Sequence, residues 1–192
     1  MPQIDMWVIK HAFQGICSNI SAGIDIELCS INLSGQSMGD MQLLDYIIHQ
    51  IRDTGVSPDK LCFEVTESAV IANLESARQF ICKLKDIGCR FSLDDFGSGL
   101  SSFDYLKNLP VDYVKLDGSL IKDVAINKVS QAMVHAINYV SHVMDMKSIA
   151  EYVESTEILE QLQRVSIDYA QGYGIGKPVP FRPEYIRLPS PK

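Results

Sequence analysis

Two adjacent carboxylates, Asp94 and Asp95, close the apolar run Cys89–Leu93 and stand directly before Phe96-Gly97-Ser98-Gly99. Neighbouring carboxylates repel each other unless a cation, a proton or water screens them. The glycines beyond them let the backbone fold tightly around whatever is held there. Asp, Gly and Ser are also the usual turn formers, so an acidic turn capping the next helix is the plainer alternative. Other polar residues share the placement, each at or near the end of an apolar run: Asn32, Glu64, Lys115, Glu151 and Gln171. Gathered in one place they would form an oxygen-rich set suited to Mg2+, Mn2+ or Ca2+. No His stands at any of these ends, which argues against zinc. Two Asp and two Glu could hold two ions ~3.5–4 Å apart with Asp94 bridging, the arrangement used to hydrolyse phosphate esters. Lys115, close to carboxylates, should stay protonated, and it could orient the attacking water or stabilise developing charge.

The elements that must carry these residues alternate. An amphipathic helix (Met6, Trp7, Ile9, Ala12, Phe13, Ile16) is followed by a break over Ser18–Gly23 and an alternating strand from Ile24 to Ile31. Helices are predicted over Met41–Thr54, Asn73–Ile87, Ser101–Leu109, Lys128–Met144 and Thr156–Val165, with Gly55, Gly88 and Pro110 as stops. Strands are predicted over Leu61–Val65, Cys89–Leu93, Asp112–Leu116, Lys147–Ala150 and Ile167–Ala170. A strand–helix unit thus recurs six times, roughly every 20 to 36 residues, the scale of a βα repeat, and such alternation implies a parallel sheet. A doubly wound sheet collects its site at one switch point. Polar residues at the ends of all six strands favour a (β/α)8 barrel, where strand C-termini ring one mouth. Taken singly, each residue has an ordinary structural role: Glu64 in a buried ion pair, Asn32 in a turn, Lys115 in a salt bridge, Gln171 in a loop. Six such roles coinciding at one end of six strands is the less economical account. Glu67, one turn of phase from Glu64, suits positioning the 94–99 loop better than ligation. Asp112 and Asp117 receive no catalytic role, and His11, His49, His135 and His142 fall within helices as surface or packing residues.

With 192 residues, 46% hydrophobic and 21% charged, the chain has the composition of one globular domain with a real core. A net charge of -7 and a pI near 5.0 argue against a binder of nucleic acid polymers, which needs a basic face. Bound metal ions can still invert the local charge of an acidic site and so admit an anionic substrate. Five cysteines with no Cys-x-x-Cys suit reduced thiols in a cytoplasmic protein. No apolar run approaches the ~18 residues of a membrane span, and no signal-peptide pattern opens the chain. Five of the eight prolines follow Lys177, and residues 181–192 read as a terminal arm.

Seven segments taken in order resemble the successive motifs of EAL domains: Asn32-Leu33-Ser34, Glu64-Val65-Thr66-Glu67-Ser68, Leu93 to Gly99, Leu109-Pro110-Val111-Asp112, Val114-Lys115-Leu116-Asp117, Ile149-Ala150-Glu151 and Gln171-Gly172-Tyr173. The resemblance runs from Ile4 to Pro180. It implies a cyclic di-GMP phosphodiesterase that opens the cyclic dinucleotide to linear pGpG with two Mg2+ or Mn2+ ions. It also implies roles: Asn32, Glu64 and Asp94 as ligands of one ion, Asp94 with Asp95 for the second, and Lys115 at the attacking water. Glu151 would join the metal–water network or act as general base, Gln171 would hold water at the mouth, and Glu67 would anchor the 94–99 loop.

The departures carry their own expectations. The Glu-Ala-Leu triplet and the Arg that follows it do not occur in these residues. The resemblance therefore implies a single EAL-type domain, an incomplete TIM-like barrel with about six of eight strands, its first two lacking. Tyr152 stands where the family usually has Gly, crowding the mouth beside Glu151, and Gly118 replaces a usual charged residue. The expected function is that of the C-terminal portion of a phosphodiesterase in bacterial second-messenger signalling, inactive on its own. The alternative is a degenerate, non-catalytic module that binds cyclic di-GMP or a protein. A TIM-barrel enzyme of another phosphate chemistry is a third. Open sheet edges imply a homodimer or larger assembly, or covering of the gap by the first helix or the Pro-rich arm. The resemblance leaves room for a GGDEF or sensory domain in a parent protein and for a membrane anchor in another domain of it.

Overall fold

In a computed structural model the chain is described over residues 2–98 and 103–185. Gly99, the Ser101 start of the predicted short helix and the arm beyond residue 185 lie outside the described residues. The elements in order are α1 (Pro2–Ser21), β1 (Cys29–Asn32), α2 (Met41–Thr54), β2 (Leu61–Thr66), α3 (Glu67–Ala72), α4 (Leu74–Asp86), β3 (Arg90–Phe96), α5 (Phe103–Leu106), β4 (Tyr113–Leu116), α6 (Gly118–Ile121), α7 (Lys128–Val143), β5 (Lys147–Ala150), α8 (Thr156–Arg164) and β6 (Tyr169–Ala170).

The strands form one six-stranded sheet in sequence order, and every neighbouring pair is parallel. The sheet is a half-barrel with β1 and β6 at its margins, the incomplete TIM-like architecture expected from the alternation. Helices on the outside must cover a parallel sheet, so its strands are apolar on both faces; β2 is buried along nearly its whole length. Phe63 and Phe91, partners in the β2–β3 register, pack ring to ring at 5.6 Å. Against this layer α2 lays Leu43, Leu44, Ile47 and Ile51, and α4 lays Ala77, Phe80, Ile81 and Leu84. Each Leu, Ile or Phe among them contributes about 1.5–3 kcal/mol when removed from water.

Local chemistry sets the helix starts. Asp40 caps α2 by accepting from the amides of Gln42 and Leu43, and Gly55 ends it in the left-handed conformation at φ 68°. Thr66, Asn73, Asp117, Asn127 and Ser155 cap α3, α4, α6, α7 and α8 in the same way.

Several expected boundaries move. The first strand is only Cys29–Asn32, because Lys60 binds Asp25 and the Ile26 carbonyl and holds residues 24–28 outside the sheet. β3 runs on to Phe96, so Asp94 and Asp95 lie inside the strand rather than after it. The first helix is longer than its apolar face suggested, and Trp7, counted on that face, is 61% exposed, stacked on His11 at 3.9 Å. Its place inside is taken by Asp5, whose carboxylate accepts from the hydroxyls of Ser34 and Ser37 and tethers α1 to the loop after β1. The helices α3 and α6 were not anticipated, each being too short to show periodicity.

Candidate active site

Parallel register brings the polar strand ends together. Asn32 pairs with Glu64 across β1 and β2, Thr66 with Asp94 across β2 and β3, and Lys115 with Ile149 across β4 and β5, two residues before Glu151. Between β3 and β4 the register slips by one residue, since Leu93 pairs with Val114 but Phe96 with Leu116. Asp94 and Asp95 are the residues inside this bulge, and Asp95 takes a left-handed φ of 57°. A bulge re-aims side chains next to a site. Here it turns two consecutive residues, which a regular strand would point to opposite faces, toward one acidic cluster.

Lys115 is the centre of that cluster. It is 4% exposed, and its Nζ lies 2.7 Å from Glu151 Oε1, 2.9 Å from Glu64 Oε2 and 3.0 Å from Asp94 Oδ1. Burial works against its charge, but Glu64, Glu151 and Asp94 outweigh burial and hold the ammonium well above the usual lysine range. On the other side, burial, followed by the Asp94 and Asp117 charges, pushes the Asp95 carboxyl up against the opposing pull of Lys115. Burial likewise raises Glu151, with Asp94 and Asp95 adding to it and Lys115 opposing. Four carboxylates around one ammonium leave a formal excess of three negative charges if all are ionised (four minus one). Low-dielectric surroundings make such an excess costly without further cations.

The donor set fits a hard divalent ion. Oxygen atoms of Asp94, Asp95 and Glu151 lie within 4.8 Å of one another, all are carboxylate, and all are part-exposed toward the mouth. Asn32 and Gln171 sit at the same end but outside this contact. The Asn32 side chain is exposed, with no hydrogen bond among the described residues. Gln171 is held by its backbone, which donates to the Ala150 carbonyl and accepts from the Val153 amide. Its side chain lines a cleft of about 370 Å3 with Glu151, Tyr152, Glu154, Gly172 and Tyr173.

Glu67 opens α3, directly after Thr66, the β2 partner of Asp94. Its Oε1 accepts from the Tyr105 hydroxyl at 2.7 Å and its Oε2 from the Gly97 amide at 3.4 Å, linking the residues that flank both sides of the Gly-rich loop. Burial first, then this hydrogen bond, drives the Tyr105 phenol far above its ordinary value. Tyr105 carries no signal in the sequence, where it looks like any core aromatic. Tyr152 and Gly118, two separate departures in the sequence, are partners in space: the Tyr152 ring lies over Gly118 so closely that a Cβ there would come within 2.2 Å of it.

Comparison with known proteins places this arrangement in context. The sequence profile of the EAL domain matches residues 1–178. The cyclic di-GMP phosphodiesterase PdeB of Shewanella oneidensis is 43% identical over 180 residues, covering 94% of this chain and 21% of that protein. The Escherichia coli cyclic di-GMP phosphodiesterase PdeF is 37% identical over 177 residues, covering 92% and 24%. The chain therefore spans about a quarter or less of the length of these two relatives. Among solved structures, the PaMucR phosphodiesterase in complex with c-di-GMP superposes with a TM-score of 0.86 at 30% identity, over 93% of this chain and 72% of that one. The Xanthomonas citri FimX EAL domain in complex with c-diGMP gives 0.86 at 28% identity, over 92% and 69%.

Proposed function

Because this chain belongs to the EAL-domain family, we propose that it carries the catalytic mouth of a cyclic di-GMP phosphodiesterase, acting in bacterial second-messenger signalling. The observation that carries the proposal is the convergence of Glu64, Asp94 and Glu151 on Lys115, with Asp95 beside them. Asp94, Asp95 and Glu151, joined by Glu64 and Asn32, would hold Mg2+ or Mn2+. When bound, such ions lower the pKa of a coordinated water and neutralise the phosphate. The chain's own contribution is positional. Lys115, kept charged by its neighbours, donates hydrogen bonds toward the attacking water and steadies charge that builds on the phosphate. Glu151, its proton affinity raised by burial, is suited to take a proton from that water. Gln171 borders the cleft where the leaving side of the dinucleotide would lie, and Glu67 holds the loop that follows Asp95 in register with the site.

These 192 residues contain no Glu-Ala-Leu triplet, and the chain by itself is expected to turn over little cyclic di-GMP. It should nonetheless bind the dinucleotide, with Ca2+ replacing the catalytic ion. A second reading has support from Lys115. Its ammonium already sits between three carboxylates, so the site can balance much of its charge without metal and act as a binding module. Chromatography of pGpG formed with Mg2+ or Mn2+, beside calorimetry with Ca2+, separates the cases. Binding without turnover is expected. Metal-dependent turnover abolished by Asp94→Asn would show these residues to be sufficient, and absence of binding would remove the phosphodiesterase reading. The remaining partners follow from the same proposal. A cyclic dinucleotide ligand would fit a cytoplasmic location, and the much longer relatives leave room for GGDEF or sensory domains. The margins at β1 and β6, unpaired among the described residues, support a homodimer or higher assembly, which sedimentation would detect as mass rising with concentration.

A further inference from the structure

The inner face of the sheet is divided by charge. Residues paired across neighbouring strands share a face, as do residues two apart along one strand. Lys115 therefore shares its face with Tyr113, and through the register Tyr113 shares it with Ser92 and Lys147. Arg90, two residues before Ser92, and Tyr169, the partner of Ile149, join the same face. The carboxylates lie at the C-terminal ends of these strands. At the opposite end, Arg90, Tyr113, Lys147 and Tyr169 are the first residues of β3, β4, β5 and β6. The acidic mouth makes no use of them.

These four side chains form a chain of contacts. Arg90 Nη1 donates to the Tyr113 hydroxyl at 2.8 Å, and Lys147 Nζ donates to the Tyr169 hydroxyl at 3.2 Å. The two phenol rings meet edge to face with centroids 6.1 Å apart. Neither cation has an ion pair among the described residues. The carboxylates whose charge reaches them are engaged elsewhere: Asp112 with Lys85 at 2.5 Å and the Phe91 amide, Asp168 with His142 and Ser148, Asp59 with the Ser57 hydroxyl. Each phenol oxygen accepts from a cation, so its own O–H is left to donate, and no described residue accepts it. Arg90 and Lys147 are exposed and Tyr169 is 43% exposed, so the cluster is open to solvent. On the same face, Ser92 is fully buried and its hydroxyl has no partner among the described residues.

The geometry points to a phosphate-class oxyanion held by Arg90 and Lys147, with the Tyr113 and Tyr169 hydroxyls donating to it, at the end of the sheet opposite the acidic mouth. A phosphate presents more acceptor oxygens than a carboxylate, enough to meet a guanidinium fork, an ammonium and two hydroxyls at once. With a net charge of -7 the chain as a whole repels anions, so the affinity must come from this local pair of cations. The inference does not rest on the phosphodiesterase reading.

Calorimetry with inorganic phosphate in the presence of EDTA, so that no metal mediates, tests it. Saturable binding is expected. Arg90→Gln and Lys147→Gln should each weaken it about tenfold or more, and Tyr169→Phe, which removes only a hydroxyl, about threefold. Lys83→Gln, which removes a cation from α4, should leave it unchanged. Phosphate should raise the Tm of the unsubstituted protein and of Lys83→Gln but not of Arg90→Gln or Lys147→Gln; if neither of those folds, Tyr169→Phe decides. Titration of 5′-GMP into the same proteins separates the sources: affinity equal to that of phosphate assigns free phosphate, and tighter binding that is lost in Lys147→Gln assigns the phosphate of a nucleotide. Absence of saturable phosphate binding, affinity undiminished in the Arg90 and Lys147 variants, an equal loss in Lys83→Gln, or succinate bound as tightly as phosphate overturns the inference. Each of these leaves the phosphodiesterase reading standing, because that reading is tested with divalent metal and cyclic di-GMP.

Discussion

At the residue scale, Lys115 is where stability and chemistry meet. A lysine 4% exposed survives only because three carboxylates surround it, and those carboxylates in turn tolerate each other only because it is charged. Lys115→Met keeps most of the volume and removes the charge. Glu64, Asp94 and Glu151 would then face one another with no cation, at a cost of about 3–5 kcal/mol. For a chain of this length that lowers Tm by about 2–4 °C for each kcal/mol. Added Ca2+ should restore part of the loss, more in the variant than in the unsubstituted protein, as read by denaturant unfolding at fixed pH. Unchanged stability, or equal Ca2+ effects in both proteins, would show that the carboxylates do not depend on Lys115.

At the element scale, the two ends of the half-barrel do different work. The C-terminal end carries the bulge and the acidic cluster. Lower down, Asp168 ties β5, β6 and α7 together: its Oδ2 accepts from the Ser148 amide at 2.8 Å and the Ser148 hydroxyl at 3.1 Å, and lies 2.7 Å from His142 Nε2. Burial pushes the Asp168 carboxyl up, but the hydrogen bonds from Ser148 and His142 more than offset it, and the net effect is downward. A carboxyl whose folded pKa lies below its unfolded value binds fewer protons when folded. Its stabilisation is therefore present above the unfolded value, about 3.9, and is lost as pH falls through the folded one. Below about pH 5, where His142 is already charged, the Tm difference between the unsubstituted protein and Asp168→Asn should shrink as the pH falls. A difference that grows on acidification would assign the network's strength to some other group.

At the scale of the whole molecule, the opening between β6 and β1 is the dominant feature, and the chain spans part of it. Phe181, in the arm beyond β6, rests on α1 at Gly15, where a Cβ would come within 2.5 Å of its ring. The first helix and the arm after the last strand thus touch, although β1 and β6 do not pair. Gly15→Val should drive the ring off and destabilise the protein by about 1–3 kcal/mol. In a Phe181→Ala background the same substitution should cost much less, because the clash is gone. Additive effects in that double-mutant cycle would place the arm elsewhere in solution. The exposed face of α7, with Ile126 before it and Val129, Met133, Tyr139 and Val143 along it, is a further apolar surface of the open molecule.

The order of the strands and of the longer helices, and the parallel sheet, were legible from sequence, because they depend on short-range periodicity, caps and stops. Glu64, Asp94, Lys115 and Glu151 announce themselves as polar residues interrupting apolar strands, and register then has little freedom in where to put them. What only the tertiary structure decided involves residues far apart in the chain. That Lys115 binds three carboxylates at once, the nearest of them 21 residues away and the farthest 51, is set by strand register and side-chain reach. That Asp94 and Asp95 turn together depends on a one-residue slip against β4. That Gly118 makes room for Tyr152, and Gly15 for Phe181, is complementarity of shape between distant segments, and periodicity carries no record of the surface a side chain will meet.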